Sequence, residues 1–356
     1  MIQHITVIGG GSTGFSATAW LTAKGFQVTL CDNQSFQSIL SEVENNDGIL
    51  LRGKAGRGLY KPTKVTCDPA EAIPGAELIL ICVPANRHEE TAAFIAPFIE
   101  AGQDILISPG NLGSFVFRQI FDKRGVIADV RISELEGNIC PCRLTGPAEA
   151  TVGLPIRKKR VACMQGGKTA EVIRRLEGVF DFVANRNVFE CALLSDNFVL
   201  HIGTCLLSAT NIERMGSDFI MFQHALTPAS IGLAAAVQAE RKALVEKLGL
   251  EERDSASEFL IELMDWSNHP EYGVFRTLEG PDSVRHRYID EDSRACAALA
   301  LSLAPRFGIS MPVLSAVVTL AGTLNGVDYM EVGRTLNNLG FPDNMSGEAI
   351  IRAISE

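Results

Sequence analysis

Residues 5–33 read ITVIGGGSTGFSATAWLTAKGFQVTLCDN. Ile5–Ile8 is a short apolar run with the look of a buried strand. Gly9, Gly11 and Gly14 follow with the spacing G-x-G-x-x-G. A helical pattern runs from Ser12 to Lys24, Gly25 ends it, and a second strand, Gln27–Cys31, leads to Asp32. Each glycine has a physical task in such a turn. Gly9 permits the tight bend, Gly11 lets a pyrophosphate approach the backbone, and Gly14 lets the helix pack close to the strand. The helix N-terminus offers N–H groups and positive dipole to phosphate. Gly9, Gly10, Gly11, Ser12, Thr13 and Gly14 are therefore the candidate dinucleotide contacts. Asp32 stands where a carboxylate would accept from the ribose 2′-hydroxyl. That favours NAD over NADP, whose 2′-phosphate would meet a negative charge. Arg52 and Arg57 are too distant along the chain to decide the matter, so NADP stays open.

Outward from this stretch, strand and helix patterns alternate. Leu78–Ala85 (LILICVPA) reads as a buried strand ending in a proline loop, and HEETAAFIAPFIEAG as an amphipathic helix. DILISPGNLGS is a further strand with a glycine-bearing loop, and VFRQIFDKRG a further helix. VIADVRISE and RVACMQGG read as strands, with CRLTGPAEATVGLP between them irregular and β-like. Such alternation implies an α/β unit with a doubly wound parallel sheet of Rossmann type. Ligands bind at the carboxyl ends of the strands in such sheets. That places Val83, Pro84, Pro109, Gly110 and Asn111 near the nicotinamide.

Beyond about Phe189 the periods become helical. The expected organisation is a dinucleotide domain over residues 1–188 and an all-α substrate domain over 189–356, with the active site in a cleft between them. Ser195–Glu213, SDNFVLHIGTCLLSATNIE, reads as one helix in which Asn197, His201, Thr204, Ser208 and Asn211 form a polar stripe on an otherwise apolar cylinder. A buried polar stripe must find partners or face a wet cleft. On its own, His201 fits a satisfied core histidine as well as a functional one.

Composition narrows the function. The formal net charge is −10 across 356 residues, and the short basic cluster Arg157–Arg160 does not offset it, which argues against nucleic-acid binding. The charge-free stretch Phe219–Ala239 contains Gln223, His224, Thr227 and Pro228 and is too polar for a bilayer span. No signal-peptide pattern opens the chain. Most of the nine cysteines, among them Cys82, Cys163, Cys191, Cys205 and Cys296, sit in apolar runs as small hydrophobes. Cys140 and Cys142 have neither zinc nor redox CxxC spacing. A reduced cytoplasmic protein without a structural metal is expected, and the apolar helices of the second half would serve a homodimer interface or a domain core.

Three stretches carry a resemblance to the opine dehydrogenases, the octopine and nopaline dehydrogenases and synthases. NFVLHIGTCLLSATNIE resembles the family segment that begins Asn-Pro-Val and ends Ile-Glu around its histidine. GPDSVRHRYIDED resembles the Arg-Tyr-x-x-Glu-Asp signature. AVQAERKALVEKLGL, GRTLNNLGF, PANRHEETAAFIAPF and SPGNLGS resemble flanking segments. The resemblance implies NAD(P)H-dependent reductive condensation of an α-keto acid with the amino group of an amino acid. It implies His201 as catalytic proton donor and acceptor, Asp292 as its partner, and Arg287 and Arg143 as carboxylate-binding arginines. Phe198 and Ile202 replace family prolines, NICPCR lacks the family's Pro-Tyr order, and Ser293 and Ala295 leave the usual continuation. These departures leave the amine and the keto acid open.

The residue types suit that chemistry. Histidine exchanges protons near neutrality, with an unperturbed pKa of about 6.5. A carboxylate on its other nitrogen fixes the tautomer and favours the imidazolium. Arginine has the fork geometry for substrate carboxylates, although Arg287 could instead pair with Asp290 or Glu291. Asn197, one turn before His201, suits a nicotinamide amide or a substrate carboxylate. The competing expectations are a 2-hydroxy-acid or polyol-phosphate dehydrogenase that needs no amine, and a non-catalytic NAD-sensing protein.

Overall fold

A computed structural model of the chain describes residues 2–252 and 255–355. Its strands are β1 (His4–Ile8), β2 (Gln27–Cys31), β3 (Ile49–Gly53), β4 (Gly58–Tyr60), β5 (Lys64–Thr66), β6 (Leu78–Ile81), β7 (Asp104–Ile107), β8 (Arg131–Leu135), β9 (Cys142–Gly146), β10 (Glu149–Val152), β11 (Lys159–Cys163) and β12 (Phe182–Ala184). Eight of them form one sheet in the order β12-β11-β8-β7-β6-β1-β2-β5. All neighbours in it are parallel except β11 against β8. The sheet is thus mostly parallel, with one antiparallel step that the α/β alternation did not announce.

The strands are buried on both faces. Ile5, Val7, Leu78 and Leu80 enter one core with Phe15 and Leu21 of the first helix. Ile8, Ile79, Ile81, Ile105 and Ile107 enter the other with Phe117 and Phe121. This two-sided burial explains the continuous apolar runs. Register then aligns the strand ends. Ile8 lies opposite both Cys31 and Ile81, and Ile81 lies opposite Ile107. Gly9, Asp32, Cys82 and Ser108 therefore leave the sheet along one edge. The chain winds outward from β1 in both directions, which makes this edge the switch point where such sheets bind ligands.

A second sheet, β4-β3-β10-β9, was only half anticipated. The β9–β10 pair is the β-like segment of the sequence reading. Its partners β3 and β4 come from a region about 90 residues earlier, with β3 running parallel to β10 and antiparallel to β4.

Two glycines of the opening loop are sterically required. Gly9 has φ +138°, and a Cβ there would lie 2.5 Å from the Cys82 carbonyl oxygen. A Cβ at Gly14 would lie 1.8 Å from the Gly9 carbonyl oxygen. Overpacking of backbone against backbone costs about 1–3 kcal/mol or more. Gly14→Ala is expected to lower the melting temperature of this unit by about 5 °C or more, followed by circular dichroism. Unchanged melting would contradict this packing.

The first compact unit runs to Cys191 and takes back the chain end from Ile354, and the second is Ala192–Ala353. The division therefore lies inside the helix Val188–Leu193, three residues beyond the boundary expected after residue 188, and the last residues return to the first unit. The second unit is helical. Its longest helix, Pro228–Lys247, begins with Pro228 at its first turn and a Thr227–Ser230 capping box. The expected single helix over Ser195–Glu213 is instead three short segments, Asn197–Leu200, Ile202–Leu207 and Ala209–Met215. The breaks fall at His201 and Ser208, both members of the polar stripe. Backbone bonds from His201 N–H to Asn197 and from Cys205 N–H to His201, at 2.9 and 2.8 Å, carry the helical course through the first break. The run Val188–Leu207 is long and apolar enough to cross a membrane, but 78% of its most apolar window is buried within the protein, as in a core helix.

Candidate active site

The candidate nucleotide cradle lies in the first unit. The helix Ser12–Ala23 starts at Gly11 with no side-chain cap and no acidic residue in its first turn. Its N–H groups are therefore open to an anion. A Cβ placed on Gly11 would meet nothing within 4 Å, so there is room for a phosphate above it. The hydroxyl oxygens of Ser12 and Thr13 accept from Leu144 N–H (3.1 Å) and Asn138 Nδ2 (3.0 Å), and each hydroxyl keeps its own proton for donation. These features fit a dinucleotide pyrophosphate.

Asp32 is 1% exposed. Its Oδ2 accepts from Gly10 N–H at 2.7 Å and its Oδ1 from Asn33 N–H at 2.7 Å. The guanidinium of Arg87, in the turn after β6, donates to both oxygens at 3.2 and 2.7 Å. Arg87 was not singled out from sequence, because only the register of β1, β2 and β6 brings it beside Asp32.

Val83 is buried, 2% exposed, in the loop after β6. Past β7, the Pro109–Leu112 loop includes two left-handed residues, Asn111 (φ 50°) and Leu112 (φ 64°). Glu134, fully buried on β8, holds this loop by accepting from the N–H groups of Leu112 and Ser114, both at 2.9 Å. A Cβ on Gly110 would come within 2.5 Å of the Glu134 side chain. Glu134 was overlooked, although an acid inside the apolar strand RISEL was a legible sign of buried hydrogen bonding.

In the second unit the structure brings together two residues 91 positions apart. His201 Nδ1 lies 2.8 Å from Asp292 Oδ2. Both are buried, at 8% and 4% exposure. Tyr288 stacks on the imidazole, with ring centroids 3.8 Å apart and planes 14° from parallel. His286 meets the edge of Tyr288 at 4.7 Å, and the Arg287 guanidinium lies 5.3 Å from the Tyr288 ring. Burial pushes the Asp292 carboxyl up to about 8, and the positive charge of Arg287 pulls the other way. Asp292 and His201 are in direct contact, so a proton leaves the two as a coupled pair rather than either group alone. Asp292 is followed by a five-residue π-helical turn, Ser293–Ala297. Such turns recur at functional sites.

Around the pair, Arg287 Nη1 lies 4.0 Å from Glu291 Oε2, while Asp290 is taken by Arg294 (3.2 Å) and Tyr329 (3.0 Å). Of the rest of the polar stripe, Asn197 is half-buried and Asn211 exposed. Thr204 is fully buried, and its hydroxyl has no hydrogen-bond partner among the described residues. Arg143 belongs to the first unit, on β9, where its guanidinium donates to the Cys142 carbonyl at 2.9 Å. Among the described residues no group of three or more His, Cys, Asp or Glu is placed to hold a metal ion.

Hydride transfer needs a bound dinucleotide and a group that moves the accompanying proton; the Gly9–Gly14 loop fits the first requirement, and a buried histidine–carboxylate contact is of a kind that suits the second. The class is NAD(P)-dependent oxidoreductase. Comparison with known proteins is more specific. Residues 184–325 match the family model of the NAD/NADP octopine/nopaline dehydrogenase α-helical domain, and residues 5–109 match that of ketopantoate reductase PanE/ApbA. An opine dehydrogenase of Arthrobacter sp. (strain 1C) is 30% identical over 350 residues, covering 96% of each chain. An octopine dehydrogenase solved with NADH and L-arginine has the same fold, with TM-score 0.70, 18% identity, and 98% of this chain and 97% of that one covered. A yersinopine dehydrogenase solved with NADP+ aligns with TM-score 0.62 and 14% identity, covering 99% and 98%. The chain belongs to the opine dehydrogenase family, oxidoreductases that act on a CH–NH bond.

Proposed function

We propose that this chain reduces the imine formed between an α-keto acid and the amino group of an amino acid, with His201 exchanging the proton and Asp292 orienting it. The observation that carries this reading is the buried 2.8 Å contact between His201 Nδ1 and Asp292 Oδ2. With Nδ1 held by the carboxylate, the proton exchanged with substrate is carried on Nε2. The nicotinamide supplies the hydride when bound. Condensation releases water, and the reduced product is a secondary amine bearing the carboxylates of both reactants. Arg287 and Arg143 are the proposed partners for those carboxylates. Asn197 is proposed to contact a substrate carboxylate or the nicotinamide amide. Tyr288, flat on the imidazole, restricts its rotation. All nine cysteines are free, which supports a reducing, cytoplasmic setting.

The test follows NADH and NADPH absorbance with pooled α-keto acids, with and without pooled amino acids. Oxidation that requires both pools is the expected result. Oxidation with keto acid alone would replace this reading with a 2-hydroxy-acid dehydrogenase. Binding of NADH without oxidation in any pool would favour a nucleotide-binding role.

A further inference from the structure

The acidic residue after β2 ordinarily selects NAD by accepting from the ribose 2′-hydroxyl. In this chain Asp32 is committed elsewhere. A carboxylate has about four acceptor positions. Asp32 receives four hydrogen bonds: Gly10 N–H and Arg87 Nη1 on Oδ2, and Asn33 N–H and Arg87 Nη2 on Oδ1. Its charge is neutralised by the paired guanidinium, so the repulsion that would exclude a 2′-phosphate is largely cancelled.

Arg87 is fixed in place from several sides. It closes the short turn Ala85–Arg87 that follows β6. Its guanidinium carbon lies 4.5 Å from the Phe36 ring centroid, and its Nε is 3.8 Å from Glu90 Oε2. Its side chain retains 19% exposure, against 2% for that of Asp32. A guanidinium has five N–H donors, and two suffice for the Asp32 contacts. The polar group presented beside Asp32 is therefore an oriented cation with donors to spare.

We infer that Arg87 sets cofactor choice: anchored on Asp32 and Phe36, it receives the ribose 2′-phosphate, so that the protein accepts NADPH as well as NADH. This rests on the assignment of the Gly9–Gly14 loop and Asp32 to the dinucleotide. Arg87 then makes Asp32 a support for the phosphate-binding group rather than a selector for the hydroxyl. Glu90, the other charge near the guanidinium, is more than half exposed at 58%, and it opposes the phosphate only through screened repulsion.

The test is binding, measured by the fluorescence of NADH and NADPH and by displacement with 2′,5′-ADP and 5′-ADP. The native protein is expected to bind NADPH within about tenfold of NADH. A charge-assisted contact to phosphate corresponds to about 10- to 100-fold in affinity. Arg87→Leu should weaken NADPH and 2′,5′-ADP by that factor and leave NADH and 5′-ADP within about threefold. Arg87→Lys should recover part of the loss, because it keeps the charge without the fork. Glu90→Gln should tighten NADPH modestly. Exclusion of NADPH by the native protein, or equal weakening of both cofactors in Arg87→Leu, would overturn the inference. Loss of all nucleotide binding by the native protein would instead remove the dinucleotide assignment beneath it.

Discussion

Replacing His201 with asparagine is expected to lower kcat by about 10²–10⁴-fold while NADH affinity stays within a few-fold. That range is what a positioned general acid–base contributes. The change removes the imidazole proposed to exchange the proton and keeps a polar side chain at the break between two short helices. NADH affinity should hold, because the candidate pyrophosphate and ribose contacts belong to a different compact unit. The substitution also takes the ring from the face of Tyr288 and leaves Asp292 buried without its imidazole, so far-ultraviolet circular dichroism should accompany the kinetics. A folded variant with native kcat would remove His201 from the mechanism.

Asp292→Asn should cost about 10²-fold or more in kcat, with a changed pH profile. The amide keeps the shape of the carboxylate but brings a donor to the site where Nδ1–H needs an acceptor, which disfavours the tautomer required of His201. The pH dependence follows from the raised Asp292 carboxyl in contact with His201. Burial raises the Asp292 carboxyl to about 8, so the pair holds its proton below that pH and loses it above. Reduction needs the proton donor, and its kcat/KM should fall as pH rises through about 8. The reverse oxidation needs the base and should gain over the same range. In Asp292→Asn this alkaline transition should move or disappear. An unchanged profile with an unchanged rate would show that Asp292 does not act through His201. A purely structural Asp292 would lower stability without moving the transition.

Much of the first unit was legible because local signals agreed with one another. The glycine spacing, the helix after it and the acidic residue at the end of β2 lie within about 30 residues of sequence, and the steric demands at Gly9 and Gly14 match the glycines present. What escaped depends on distant pairing. β3 joins β10 from about 100 residues away, and neither short strand states its partner. Arg87 is an ordinary loop arginine until the register of three strands places it on Asp32. In the second unit the polar stripe drew attention to His201, which the structure places against Asp292. Helical periodicity could not show that the helix breaks there, nor that Tyr288 covers the imidazole. Asp292 entered through the Arg-Tyr-x-x-Glu-Asp resemblance alone, since no local pattern joins positions 91 residues apart.

The chemistry proposed for this chain joins carbon to nitrogen by reduction. The most direct measurement incubates it with an α-keto acid, a ¹⁵N-labelled amino acid and NADH or NADPH carrying deuterium at the transferable position, and determines product mass. The expected product is a secondary amine that carries both labels in one molecule. Deuterium found only in a hydroxy acid without ¹⁵N would contradict it.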